Sequence, residues 1–463
     1  MSQESSVESR ESAASIQNPK SKIQNPAEGF EFVEEKAGIR EFRLVSNGLR
    51  VLLIQNRVAP VLTFAIVYHV GSRNEAVGHT GATHLLEHLM FKGTPEFQRA
   101  KGTAVASVLE ALGARFNATT WFDRTNYYET IPSDQFEVAA RIEASRMRTA
   151  LLRDEDRVPE MTVVRNEFER GENSPFQVLY KHTFATAFRE HPYHHPTIGW
   201  RSDIEEVTTE RLREFYDTFY HPHNATAMVI GDFEEGSALS TIAKHFGAIP
   251  PSSKPIPAVY TVEPAQEGER RFVVRRVGQV GWCALSWRTV SARHPDSPAL
   301  AVLGNILGGG ITSRLHQALV EKNLALSVSV VNWQLRDPAL FSVFAPVRPG
   351  VELAEVESTI RQEIAAIAAD SVTPAECEKA QTQIEAEVIF DRDSTDQIAA
   401  SLSEAIAVAD WQWYADYPAA IRRVTPEDVR RVVLAYLHDD GLTVGLYVPK
   451  PGDASVVEEG GEA

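Results

Sequence analysis

The chain repeats itself at a fixed register, and that repeat limits its architecture more than any other feature. Thr208-Thr209-Glu210-Arg211-Leu212 is echoed by Thr425-Pro426-Glu427-Asp428-Val429. Phe219-Tyr220-His221 is echoed by Tyr436-Leu437-His438, and Thr226 by Thr443, all at an offset of 217 residues. Upstream, the strand-turn-helix pattern from Val61 to Phe91 returns as strand Trp282 to Thr289, the polar Ser291-Ala292-Arg293 and helix Pro298 to Leu307. Between the copies, five prolines from Pro250 to Pro264 mark a linker. A chain of 463 residues is too long for one ordinary domain. The expected organisation is therefore a domain at 30–249, a linker at 250–265 and a homologous domain at 266–449, flanked by a disordered tail at 1–29 and an acidic tail at 450–463.

Chemistry concentrates in Thr83-His84-Leu85-Leu86-Glu87-His88-Leu89. The stretch has no proline, and leucines fill its gaps, so it reads as helix. His84 and His88 are then i and i+4, on one face about a turn apart. Two imidazoles so placed can share one zinc ion. Glu87 stands on the same side, close enough to hold a metal-bound water. Leu85, Leu86 and Leu89 fall elsewhere around the helix and can anchor it. The order His-x-x-Glu-His is one of the zinc peptidase signatures. A second helix, Pro159 to Glu172, carries Glu160 and Glu167 at i and i+7 on one face. Either glutamate could complete a His2Glu site and leave the fourth position to water.

The rest of the chain supplies a frame. Glu41 to Asn56 reads as two strands around Asn47-Gly48. Val61 to Val70 is a β-branched run, hence a buried strand. Thr103 to Leu112 is helical, and two strands around Asp123-Arg124 follow. Asp134 to Leu151, Tyr180 to Arg189 and Thr208 to Phe219 read as helices, the last capped by Thr208; Ala225 to Gly231 reads as a strand. His191-Pro192-Tyr193-His194-His195-Pro196 is a proline-bounded loop, and its histidines are expected to be structural or surface residues. Aligning Gly93 with Gly308 sets Ala299 opposite His84, Val302 opposite Glu87 and Leu303 opposite His88. The second copy thus has apolar residues where the first has ligands, so one chain should hold one metal ion.

A net charge of −17 argues against a nucleic-acid partner and favours basic or neutral ligands. Cys283 and Cys377 lie far apart and imply no disulfide framework. No basic start followed by an apolar run is seen, and no stretch reaches 18 apolar residues, so the expectation is a cytoplasmic protein without a membrane span.

Taken together, these motifs resemble the pitrilysin/insulinase family of zinc peptidases, over about residues 38 to 449. The resemblance rests on His-x-x-Glu-His, the distal glutamate, Asn117-Ala118-Thr119-Thr120 as Asn-Ala-x-Thr, Thr125-Asn126-Tyr127-Tyr128, and Gly308-Gly309-Gly310-Ile311-Thr312-Ser313-Arg314-Leu315. It implies an α+β fold of two similar, duplicated domains, each a mixed β-sheet with helices packed on it. It implies Zn2+ held by His84, His88 and Glu167, with Glu160 as an acid behind the ligands and Glu87 as general base. Asn117, Ala118 and Thr119 match an edge strand to which a peptide substrate adds. The implied activity is hydrolysis of unfolded peptides; a non-catalytic subunit and a scaffold holding structural zinc are the competing readings. The family's second half usually offers an arginine and a tyrosine to substrate, but here Val320 stands at the arginine's place and Leu326 or Ser327 near the tyrosine's. The chain is therefore expected to work with a zinc-less homologous subunit as a heterodimer, or else as a homodimer.

Overall fold

The computed structural model describes residues 28–450, so the expected tails lie outside the described residues except for residues 28, 29 and 450. Seven strands form the first sheet: β1 (Phe30–Lys36), β2 (Ile39–Leu44), β3 (Arg50–Gln55), β4 (Val61–Tyr68), β5 (Arg115–Thr120), β6 (Thr125–Pro132) and β7 (Ala225–Gly231). Their spatial order is β1-β2-β3-β7-β4-β6-β5, and only β3 and β7 run parallel. The second sheet contains β8 (Arg270–Val277), β9 (Trp282–Arg288), β10 (Ser329–Asn332), β11 (Leu340–Pro346) and β12 (Leu442–Lys450). Its order is β10-β11-β9-β12-β8, with only β8 and β12 parallel. The five strands β3-β7-β4-β6-β5 therefore repeat as β8-β12-β9-β11-β10, in the same order and directions.

The helices repeat as well. The first half has α1 (Ala82–Leu89), α2 (Val105–Ala111), α3 (Phe136–Thr149), α4 (Asp154–Glu172), α5 (Pro175–Ala187), α6 (Arg201–Glu206), α7 (Thr209–Phe219) and α8 (Glu235–Phe246). The second has α9 (Ser297–Gly308), α10 (Leu353–Asp370), α11 (Pro374–Phe390), α12 (Thr395–Val408), α13 (Trp411–Arg422) and α14 (Pro426–Tyr436). α1 packs on α4, α7 and β5, and α9 packs on their counterparts α11, α14 and β10. Matched caps start α7 and α14: Thr208 Oγ1 accepts from the Arg211 N–H, and Thr425 Oγ1 from the Asp428 N–H, each worth about 1 kcal/mol. The matched threonines also hold matching ladder positions. Thr226 stands opposite Arg50 and Val67, Thr443 opposite Arg270 and Ser286.

Both faces of the central strands are apolar. On β4 and β7, Leu62, Phe64, Ile66, Ala227 and Val229 face the first half's own helices. Ala65, Val67, Met228 and Ile230 face the other way. That is why Val61 to Tyr68, but for Thr63, reads as a near-continuous apolar run rather than an alternating one. The far face is covered from the second half, by Ile398, Leu402 and Ile406 of α12 and by Trp411 of α13. Trp411 Nε1 donates to the buried Glu41 at 2.6 Å. The exchange is reciprocal. α5, the counterpart of α12, lays Leu179 and Phe176 against Ala284, Phe344 and Tyr447 of the second sheet.

The structure amends the sequence reading in places. β1 was not anticipated; it pairs with β2 at the sheet edge. α4 begins at Asp154, not at Pro159, because Asp154, Glu155 and Asp156 suit the positive end of a helix. Pro159 sits inside the helix near its start, and the helix tolerates it there. α5 begins five residues before Tyr180, where Ser174 caps Gln177 and Pro175 takes the first turn. Among the described residues, no helix is long and apolar enough to cross a membrane.

Because each half covers a sheet face of the other, the two should unfold together. Residues 28–249 expressed alone should bind a hydrophobic dye and aggregate, whereas the whole chain should melt in a single calorimetric transition. A soluble, cooperatively folding fragment would contradict the exchange as a stability requirement.

Candidate metal centre

Helix α1 has only eight residues, too few to stand alone in water. Its apolar side is inserted into the core through Leu85, Leu86 and Leu89, which are at most 1% exposed; each such burial contributes about 2 kcal/mol. Its N-terminus is held by a buried carboxylate. Glu75 Oε2 accepts from the Gly81 N–H at 2.8 Å and Oε1 from the Thr83 N–H at 2.7 Å. Burial lifts the Glu75 pKa to about 8 against the opposing pull of these N–H groups. The entry to the helix requires glycine. Gly81 has φ 87°, and a Cβ there would lie 2.5 Å from the Ile198 carbonyl oxygen.

On the exposed side of α1 the two imidazoles stand edge to face, with ring centres 4.8 Å apart. α4 crosses α1 and brings Glu167 to them. Glu167 Oε2 lies 3.8 Å from His84 Nε2 and 3.9 Å from His88 Nε2. Among the described residues, His84, His88 and Glu167 form the one group of three such side chains whose ligand atoms all fall within 4.8 Å of one another. Tetrahedral ligands about 2.0–2.1 Å from zinc stand about 3.4 Å apart, so a small contraction would close this set on an ion. Two nitrogens and a carboxylate oxygen suit zinc and leave a fourth position open. The Glu167 side chain is 42% exposed, so the group is open to solvent on that side.

Glu160 lies one turn behind Val164, which pins α4 into the core. Its Oε1 is 2.9 Å from His88 Nδ1, leaving Nε2 free to face Glu167. Lys92 pairs with its other oxygen. Burial raises the Glu160 pKa, but the hydrogen bonds from His88 and Lys92 outweigh it and hold the carboxyl below its usual range. His88 is opposed by burial yet lifted above the ordinary imidazole range by Glu160, Glu87 and Glu167. His84 is pushed down to about 3 by burial, with the neighbouring His88 adding to it. Its Nδ1 is buried without a hydrogen-bond partner, so only one of the two histidines has a carboxylate behind it.

Glu87 points between α1 and the end of β5. It is 9% exposed, and Thr120 Oγ1 donates to its Oε2 at 2.6 Å. Burial raises its pKa, against the Thr120 hydrogen bond and the charges of His88 and Arg124. β5 pairs only with β6 among the described residues, so its other edge is open. Asn117 and Thr119 are exposed, whereas Ala118 is buried against the core. Any strand laid on this edge would meet main-chain groups first. Beside His84 and Glu167 opens a cavity of about 560 Å³, walled by Trp121, Phe168, Tyr180 and Ile198.

The other expected positions are not brought to this centre. Ala299, Val302 and Leu303 are buried apolar residues of α9. His191 binds Asp337 of the second half at 3.0 Å, and His195 lies 3.7 Å from Glu75, so the histidine cluster is structural. Cys283 and Cys377 are buried free thiols. Two residues at the centre escaped the sequence reading. Lys92 is i+4 from His88 on the face that meets Glu160. Thr120 is the last residue of the Asn-Ala-x-Thr motif, and only its contact with Glu87 reveals what it does.

Comparison with known proteins now has a geometry to refer to. Residues 50–200 match the family described as insulinase (peptidase family M16), and residues 206–384 match the peptidase M16 inactive domain. The zinc protease PqqE of Helicobacter pylori is 31% identical over 411 residues, covering 88% of this chain and 92% of that one. A probable mitochondrial-processing peptidase subunit beta of Arabidopsis thaliana is 25% identical, covering 87% of this chain and 77% of that one. A crystal structure of a protease from Helicobacter pylori superposes with a TM-score of 0.84 at 30% identity, covering 91% of this chain and 99% of that one.

Removing the carboxylate behind His88 should loosen any metal held here. By calorimetric titration, Glu160→Gln is expected to weaken Zn2+ binding about 10- to 100-fold while leaving one site per chain. Unchanged affinity would mean that Glu160 plays no part in holding the ligand.

Proposed function

The chain belongs to the insulinase peptidase family M16, and from that premise we propose that it is a zinc-dependent metalloendopeptidase acting on unfolded peptides. The observation that carries the reading is the convergence of His84 Nε2, His88 Nε2 and Glu167 Oε2 on one point beside the Glu87 carboxylate. Relatives named zinc proteases add support. His84, His88 and Glu167 are assigned as ligands of one Zn2+ per chain, with Glu160 orienting His88. Three protein ligands and an open fourth position suit catalysis better than a structural site, which normally has four. When bound, zinc supplies a Lewis acid that acidifies water and polarises the scissile carbonyl.

Glu87 does the proton work. Its buried carboxylate takes a proton from the attacking water and returns it to the leaving amine as the carbon–nitrogen bond breaks. The open edge of β5, at Asn117, Ala118 and Thr119, receives the peptide as an added strand, through main-chain hydrogen bonds that tolerate many side chains. Strand addition needs an extended segment free to pair, and an unfolded peptide offers one along its whole length, so the substrate is an unfolded peptide.

Glu87→Gln separates the base from the metal. It is expected to retain Zn2+ and to lose most turnover of a quenched unfolded peptide, whereas His84→Ala, His88→Ala and Glu167→Ala should lose the metal. Hydrolysis by Glu87→Gln at the wild-type rate would show the mechanism to be wrong.

The second half suggests a partner. Val320 ends a short π-helical turn, and Leu326 is 45% exposed on the loop beyond it. Val320 and Leu326 offer a substrate neither the arginine's charge nor a phenol, and Ser327, the other residue near the tyrosine's place, is exposed and offers only a short aliphatic hydroxyl. We assign the missing pair to a zinc-less homologous subunit facing this chain. Peptidase activity should rise when such a subunit is added to the purified chain. Full activity of the isolated chain, unchanged by any partner, would contradict this.

A further inference from the structure

Glu87 has two carboxylate oxygens, and only one of them is held. Thr120 Oγ1 donates to Oε2 at 2.6 Å, while Oε1 has no protein donor among the described residues. We propose that Thr120 is a positioning residue of the reaction: its hydroxyl fixes the Glu87 carboxylate so that Oε1 alone faces water. The inference rests on the assignment of Glu87 as base and adds to it the atom that carries the proton.

The chemistry follows from what each oxygen can do. A carboxylate turns readily about its last torsion, which has a broad, roughly two-fold profile. A donor fixed on Oε2 removes that freedom and leaves the lone pairs of Oε1 free. The proton lost by water then forms its new bond to Oε1, and Oε2 goes on accepting from Thr120 in the neutral acid. The same Oε1–H bond breaks when the amine leaves, so the proton is delivered from the side on which it was taken. An unheld carboxyl could present the protonated oxygen away from the amine and would have to rotate before the second transfer.

Thr120 is itself well held. It closes the β5–β6 ladder opposite Thr125. Its branched Cβ restricts the hydroxyl rotamer. The preceding residue is clamped by Arg124, whose Nη1 donates to the Thr119 carbonyl at 2.8 Å and to Thr119 Oγ1 at 2.6 Å. Arg124 Nε in turn donates to Glu404 Oε1 of α12 at 2.9 Å. The second half, which has no ligand set of its own, thus buttresses the strand end that holds the base. Arg124 and Glu404 are far apart in sequence from Glu87; Arg124 acts on it both through this contact chain and directly through its charge.

The test is a cycle of variants assayed as whole chains, with zinc content measured on each and a quenched unfolded peptide as substrate. Thr120→Val removes the donor at nearly the same volume. It should keep zinc and KM and lower kcat about 10- to 100-fold, the range for losing one charge-assisted contact. Thr120→Ser should regain most of the rate, and Thr120→Ala should lose it as Val does should the valine pack badly. In the Glu87→Gln background, adding Thr120→Val should change the residual rate by less than about two-fold, because the two residues act as one unit. A structural role for Thr120 would instead lower the rate equally in both backgrounds and would overturn the proposal, as would wild-type kcat in Thr120→Val. Wild-type activity of Glu87→Gln would remove the premise itself, and so is told apart from a failure confined to Thr120.

Discussion

A β-sheet that is apolar on both faces must be covered twice. In this chain the second cover always comes from the other copy. β4 and β7 bury Phe64, Ile66 and Val229 on one side and Ala65, Val67 and Met228 on the other. The first side is filled by helices of the same half, the second by α12 (Thr395–Val408), which lies in the other copy far along the chain. α5 makes the matching trade toward the second sheet. Duplication alone would give two similar domains joined by a linker. Exchange of α5 and α12 makes them one unit with a fixed mutual orientation, and polar contacts reinforce it: Arg73 and His191 meet Asp337, and Asp123 accepts from the Arg336 N–H.

That fixed orientation has a chemical consequence. The candidate centre belongs to the first half, since its candidate ligands come from α1 and α4 and its proposed base from α1. Yet the strand end beside the base is clamped through Arg124 by Glu404 of the second half. The loop after β5 is tied down by Asp123, which takes hydrogen bonds from Tyr193 and from the second half's backbone. The second half, without ligands on α9, therefore still serves the candidate centre. Apolar Ala299, Val302 and Leu303 pack α9 firmly where ligands would have needed an open face.

What could be read from the sequence follows the range of each interaction. His84, Glu87 and His88 lie within five residues, so helical periodicity alone puts them on one face. Glu160 and Glu167 are likewise related by two turns of one helix, but periodicity cannot say which meets the histidines. The family resemblance suggested Glu167, and the crossing of α4 over α1 brings its Oε2 near both Nε2 atoms. The duplicated fold was legible because Thr208/Thr425 and Thr226/Thr443 are cap and ladder positions that a fold uses for the same reason twice. The exchange of α5 and α12 was not legible. Ile398, Leu402 and Ile406 announce an apolar stripe at helical spacing, but a stripe does not name the sheet that receives it. Thr120 escaped for a similar reason: its hydroxyl acquires meaning only when β5 is laid beside α1. β1 escaped because its alternation, with Phe30 and Phe32 inward and Glu31 and the apolar Val33 outward, is short and adjoins a polar stretch of sequence.

The central claim is that one zinc ion sits between α1 and α4 and that the rest of the molecule holds those two helices for it. Anomalous diffraction from crystals of the zinc-loaded protein, collected on either side of the zinc absorption edge, tests this most directly. The account predicts one strong peak per chain, about 2.0–2.2 Å from His84 Nε2, His88 Nε2 and a Glu167 carboxylate oxygen. Absence of a peak there, or a stronger one at the His191–His195 loop or on α9, would contradict it.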